Sequence, residues 1–106
     1  MSLDFSLYDG ENELFSANIT HNLGAMAREA GIYMALWRPE EIDATKAKQV
    51  YPILAEGLMK LVGEPSHYKQ FDAPNGWGKW EHFIRFVAEV TEACRDYPEA
   101  TIHASR

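Results

Sequence analysis

The sequence predicts a small α+β domain: an antiparallel sheet, made of an N-terminal hairpin and a C-terminal strand, packed against three to four helices. Three observations predict it. Apolar residues alternate with period two at both ends of the chain, at Leu3, Phe5 and Leu7 and again at Ala100, Ile102 and Ala104. Between the ends they recur at helical spacing, most clearly over Trp80, Phe83, Ile84, Val87, Val90, Cys94 and Tyr97. A chain of 106 residues, 46% hydrophobic and 25% charged, suits a single domain, 1–106, with one modest core.

The first strand holds Leu3, Phe5 and Leu7. Asp9-Gly10-Glu11-Asn12 is turn chemistry, because Asp and Gly accept unusual dihedrals. Residues 14–19 return as a second strand and complete the hairpin. Thr20 then suits a helix N-cap, its hydroxyl accepting a free N–H of the first turn. Leu23, Met26, Ala27 and Ala30 make one apolar stripe, and Gly31 suits a left-handed stop, so a short helix is expected over 20–30. Gly24 inside it costs roughly 1 kcal/mol relative to alanine and suggests close backbone approach. Pro39 suits the first position of another helical turn, with Glu40 and Glu41 at its positive end.

A third helix is expected to begin at Asp43 as N-cap and to carry Ala47, Val50, Tyr51, Leu54, Leu58 and Leu61 on one face. Pro52 lies inside that run and predicts a kink or a junction of two helices. Gly63 ends it, and 64–70 can form a short helix. Residues 71–78, with Asn75-Gly76-Trp77-Gly78, read as a loop. The long amphipathic helix is expected over 77–97, stopped by Pro98, with the last strand over 100–105.

The pattern ITHNL (19–23), AGIY (30–33), LWRPEE (36–41), then NGWG (75–78), CRDYP (94–98) and a strand ending in Ser105-Arg106, resembles a family of small uncharacterised proteins of bacteria and bacteriophages. The resemblance covers nearly the whole chain. It implies a bacterial or phage cytoplasmic setting and carries no activity with it.

Composition narrows the function classes. Net charge is -6 and lysines and arginines are scattered singly, so neither nucleic acid nor an anionic membrane is an expected partner. A single cysteine, Cys94, excludes an intrachain disulfide and suits a reducing compartment. No apolar run has the length of a membrane span, and the start lacks the basic and apolar regions of a secretory signal. A cytoplasmic location is expected.

Catalytic chemistry finds no motif. His21, His67, His82 and His103 lack the three- or four-residue spacing of helical metal ligands, so no metal is expected. Cys94 falls on an apolar stripe and reads as a buried hydrophobe. There is no G-x-S-x-G, no phosphate-binding loop and no dinucleotide fingerprint, so no cofactor and no catalytic residue are predicted.

One constellation remains: Thr20, His21, Asn22, Tyr33, Trp37 and Arg38, with Asn75 and Trp77 from the later loop. As a ligand-binding set, a helix start and Arg38 would attract an anionic group while Trp37 or Trp77 forms a flat wall. The same residues have a structural reading. Thr20 caps, the asparagines tie down loop backbone, the tryptophans close the edge of the core, and Arg38 pairs with Glu41 or Glu29. The function expected is therefore a small accessory protein that binds a small molecule or protein partner. The alternatives are an interaction module acting as a homodimer or other homo-oligomer, and an enzyme without a recognisable motif.

Overall fold

The computed structural model describes residues 1–106. It is an α+β fold with three antiparallel strands, β1 (Ser2–Asp9), β2 (Asn12–Thr20) and β3 (Thr101–Ser105). The helices are α1 (Gly24–Glu29), α2 (Tyr33–Trp37), α3 (Ala47–Gly63), α4 (Pro65–Tyr68) and α5 (Trp80–Asp96). The sheet order is β2-β1-β3, so the C-terminal strand joins the hairpin at its first strand.

β1 is central and its alternation decides the layering. Leu3, Phe5 and Leu7 are fully buried against the helices. On the opposite face the Ser6 hydroxyl meets that of Ser16 at 3.0 Å, and Asn18 donates to Ser2 and Asp4 at 2.9 and 2.7 Å. This is the one-face-wet pattern of an antiparallel sheet. Gly10 opens the two-residue turn at φ +60, a position glycine takes without steric cost. Leu14 is an extra residue between the Leu7–Phe15 and Tyr8–Glu13 pairs, and it bulges outward.

α5 lies over β1 and β2 on one side and against α3 on the other. Phe83, Val87, Val90 and Cys94 are fully buried on it, and the Thr91 hydroxyl donates to the Val87 carbonyl at 2.6 Å. Burial gathers into one hydrophobic cluster drawn from every layer. No helix is long and apolar enough to cross a membrane.

The structure departs from the sequence-based expectations at helix ends. The helix expected over 20–30 is capped by Thr20 as expected, but its first turn, His21–Leu23, is 3-10 and only the six residues of α1 that follow directly are α-helical. α3 starts at Ala47, not after Asp43. Asp43 sits at φ +57 and ends the 3-10 turn Pro39–Ile42. The cap comes from within the helix, where Gln49 Oε1 accepts the N–H groups of Thr45 and Lys46 at 2.8 and 2.9 Å. The N–H groups of Ala47 and Lys48 then donate to the carbonyls of Ala100 and Pro98, both at 2.9 Å, so β3 and α3 start together. Pro52 neither splits nor ends α3. Its missing N–H leaves the carbonyl of Lys48, which lies in the exposed first turn. α5 begins at Trp80, three residues later than expected, where Asp72 Oδ1 accepts the Trp80 N–H at 2.7 Å.

Candidate functional site

The eight residues singled out in the sequence separate into two groups. Thr20, Asn22, Asn75 and Trp77 form a structural clasp. Thr20 Oγ1 accepts the Asn22 N–H at 3.2 Å, the Asn22 side chain donates to the Trp77 carbonyl at 2.8 Å, and Asn75 Oδ1 accepts the Trp77 N–H at 2.9 Å. Gly78, at φ +128, lies against Thr20, Asn22 and Leu23, where a methyl group would stand 3.2–3.3 Å from each. These contacts fasten the 72–79 loop to the start of the helical layer. The Trp77 ring is 73% exposed and closes no part of the core.

His21, Tyr33, Trp37 and Arg38 come together elsewhere, around a groove of about 290 Å³. The spacing of α2 explains the centre: Tyr33 and Trp37 are one turn apart, and their rings stack at 5.2 Å with planes 7° apart. The His21 ring meets Trp37 edge-on at 6.3 Å. His21 Nε2 is buried and has no hydrogen-bond partner, an unusual state for a buried polar atom. The Arg38 guanidinium donates to Glu41 Oε2 at 2.8 Å; that bond, and then the neighbouring Tyr33 hydroxyl, raise its pKa. Glu29, the other expected partner of Arg38, instead contacts His67 Nε2 at 2.7 Å.

Three groove residues carried no site signal in the sequence. Gly24 is buried in the wall, and a methyl group there would meet Arg28 and Tyr33 at ordinary distances of 3.5 and 3.6 Å. The Arg28 guanidinium lies over the Tyr33 ring, 3.9 Å from its centre, and no carboxylate pairs with it. Arg106 crosses from the end of the chain to donate to the Trp37 carbonyl at 2.8 Å and to Glu40, which holds the Glu40 carboxyl below its usual pKa. Arg28 follows a short helix by four-residue spacing from Gly24, so it was in principle findable. Arg106 was not, because 69 residues separate it from Trp37.

A second depression, about 480 Å³, adjoins the first and shares Arg28, Tyr33 and Arg38 with it. Three of the chain's five arginines thus converge on one aromatic pair in a protein of net charge -6. Two are held by Glu40 and Glu41, and Arg28 is the uncompensated cation. The helix-terminus component of the expected site does not carry over. The six-residue α1 has little dipole to offer, and the first free N–H after Thr20 is already capped.

No protein-family model, curated protein or solved structure matches this chain.

Proposed function

We propose that the protein binds a small anionic ligand carrying an apolar portion, in the groove formed by His21, Arg28, Tyr33, Trp37, Arg38 and Arg106. The observation that carries this reading is Arg28: a guanidinium with no carboxylate partner, poised over the Tyr33–Trp37 stack and flanked by two further arginines. Guanidinium groups recognise carboxylates and phosphates through paired N–H donors. The half-buried Tyr33 and Met34 supply apolar surface beside the arginines, and the buried Trp37, stacked behind Tyr33, holds that ring in place. The groove's volume is that of a small-molecule site.

The function proposed is binding: the groove residues include no serine, cysteine, lysine or carboxylate. In the setting implied by the sequence resemblance, the protein is a bacterial or phage accessory protein that holds an anionic metabolite.

The test is a thermal-shift and calorimetric screen of aromatic carboxylates, nucleoside monophosphates and inorganic phosphate. One class should raise the melting temperature of the wild-type protein, and Arg28→Ala should abolish that rise. Arg28 makes no ion pair, so its removal should cost the unliganded protein no more than about 1 kcal/mol, the scale of its exposed cation–π contact with Tyr33. Gly24→Ala adds a separate check: the methyl fits without a clash, yet it narrows the groove beside Arg28 and Tyr33. It should weaken binding without loss of stability. If no anion shifts the wild-type protein and Arg28→Ala mainly lowers its melting temperature, Arg28 is structural and the reading fails.

A further inference from the structure

The two edges of the sheet are finished differently. The outer edge of β3 is covered: Lys46 pairs antiparallel with Thr101, and the Ile102 N–H donates to the Thr45 carbonyl at 2.9 Å. The outer edge of β2 has no cover. Its backbone bonds only to β1, and no turn or loop donates to or accepts from residues 12–20. Alternate N–H and C=O groups of a nine-residue strand therefore face outward. Past Glu13 and the Leu14 bulge, over residues 15–20, the usual protections of a free edge are missing too. Asn12–Thr20 contains no lysine, arginine or proline, and the Leu14 bulge lies near the hairpin end.

α5 runs beside this edge. A groove of about 280 Å³ separates residues 16–19 of β2 from His82, Arg85, Phe86 and Glu89. Arg85 and Glu89 are one helical turn apart, and neither has an ion-pair partner within the chain.

We propose that β2 and this side of α5 form a twofold interface with a second copy of the chain, joining two three-stranded sheets into one six-stranded antiparallel sheet. An antiparallel pairing of β2 with itself satisfies both free edges at once and is the self-complementary contact that a closed dimer needs. The twofold axis then stands normal to the sheet. It places the two α5 helices on the same face and antiparallel to each other. Arg85 of one copy comes opposite Glu89 of the other, twice. A pairing centred on Ser16 sets the half-buried Phe15 opposite Ala17 on the helix side and keeps the two Glu13 side chains at opposite ends. The reciprocal charges select a second copy as the occupant. A foreign strand would complete the backbone ladder but would leave Arg85 and Glu89 without a built-in counterpart.

Sedimentation and light scattering at neutral pH test the proposal. At roughly 100 µM, where a dimer of micromolar Kd is nearly complete, wild-type protein should show twice the 12.1 kDa chain mass. Arg85→Glu and Glu89→Arg should each give folded monomers by circular dichroism, because each change sets like charges across the axis. Mixed in equal amounts, these two variants should recombine as a heterodimer. In the wild type, alternate β2 amides should exchange more slowly as concentration rises. A wild-type monomer at that concentration overturns the proposal. So does a dimer that both reversals leave intact, a pair of variants that does not recombine, or β2 exchange that is independent of concentration.

Discussion

Single residues in this protein act through what they meet, and Gly57 shows it most sharply. It lies buried in the middle of α3, where glycine costs roughly 1 kcal/mol of helix propensity. The cost is accepted because a methyl at this position would run into the Ile32 side chain and stand 3.3 Å from the Ala30 carbonyl. Ile32 is fully buried and Ala30 nearly so, so neither has room to retreat. Gly57→Ala is therefore expected to destabilise the protein by about 1–3 kcal/mol, the usual range for overpacking, despite its better helix propensity. A urea melt reads this directly, and a variant as stable as wild type would show that α2 and α3 are not in close contact. Cys94 behaves in the opposite way, as a plain hydrophobe. Burial pushes its thiol up to about 12. At pH 8 it should react with iodoacetamide at least roughly 100-fold more slowly than in urea-unfolded protein. Arg38 is paired with Glu41 at the surface, where such pairs contribute little. Its loss should be felt in ligand affinity and hardly in the melting temperature.

Among the elements, α5 organises the core and α3 ties the ends of the chain together. Phe83 faces inward from α5 with no exposure and lies 6.4 Å from the ring of Phe86. Phe83→Ala should cost about 3–5 kcal/mol, as for other buried aromatic truncations. A loss below about 1 kcal/mol in the same melt, on the scale of a surface substitution, would place Phe83 outside the core. The start of α5 is anchored at a second point, where the Trp80 indole N–H donates to the Leu61 carbonyl at 3.0 Å. Trp80 thereby links the end of α3 to the loop that carries the Thr20–Trp77 clasp. At the other end, Lys46 and Lys48 reach Glu99 at 3.0 and 2.8 Å across the junction of α3 and β3. The bonds from Lys48 and Lys46 hold the Glu99 carboxyl below its ordinary pKa. A carboxyl with a lowered folded pKa stabilises above its unfolded value and loses that contribution as pH falls through the folded one. The melting temperature should then fall on acidification below about pH 4.5, and Glu99→Gln should flatten part of that fall. An unchanged acid profile would remove Glu99 from the account.

Across the whole molecule, a helical layer covers one face of the sheet, and the other face carries polar side chains together with the Tyr8 and His103 rings, 4.6 Å apart. The architecture was legible from periodicity because each element's pattern is local. Period two at Leu3, Phe5 and Leu7 and helical spacing from Phe83 to Cys94 both report which face is apolar, and burial follows directly. Element order then permits few arrangements, and β3 joined the hairpin as expected. Helix ends were less legible. Asp43 has a good capping side chain, yet α3 starts where distant carbonyls at Pro98 and Ala100 can accept its N–H groups. The candidate site was half legible. Tyr33, Trp37 and Arg38 are neighbours in sequence and stay neighbours in space, held by one turn of helix. Thr20 and Asn22 also lie close to His21 in sequence, but the Thr20 hydroxyl is committed to the Asn22 N–H and the Asn22 side chain to the Trp77 carbonyl. Arg28 reached the groove by helical spacing from Gly24, and Arg106 through packing alone. Local patterns carry fold class because they record burial one residue at a time. A binding groove depends on which distant side chains converge, and chain folding settles that after every local preference has been met.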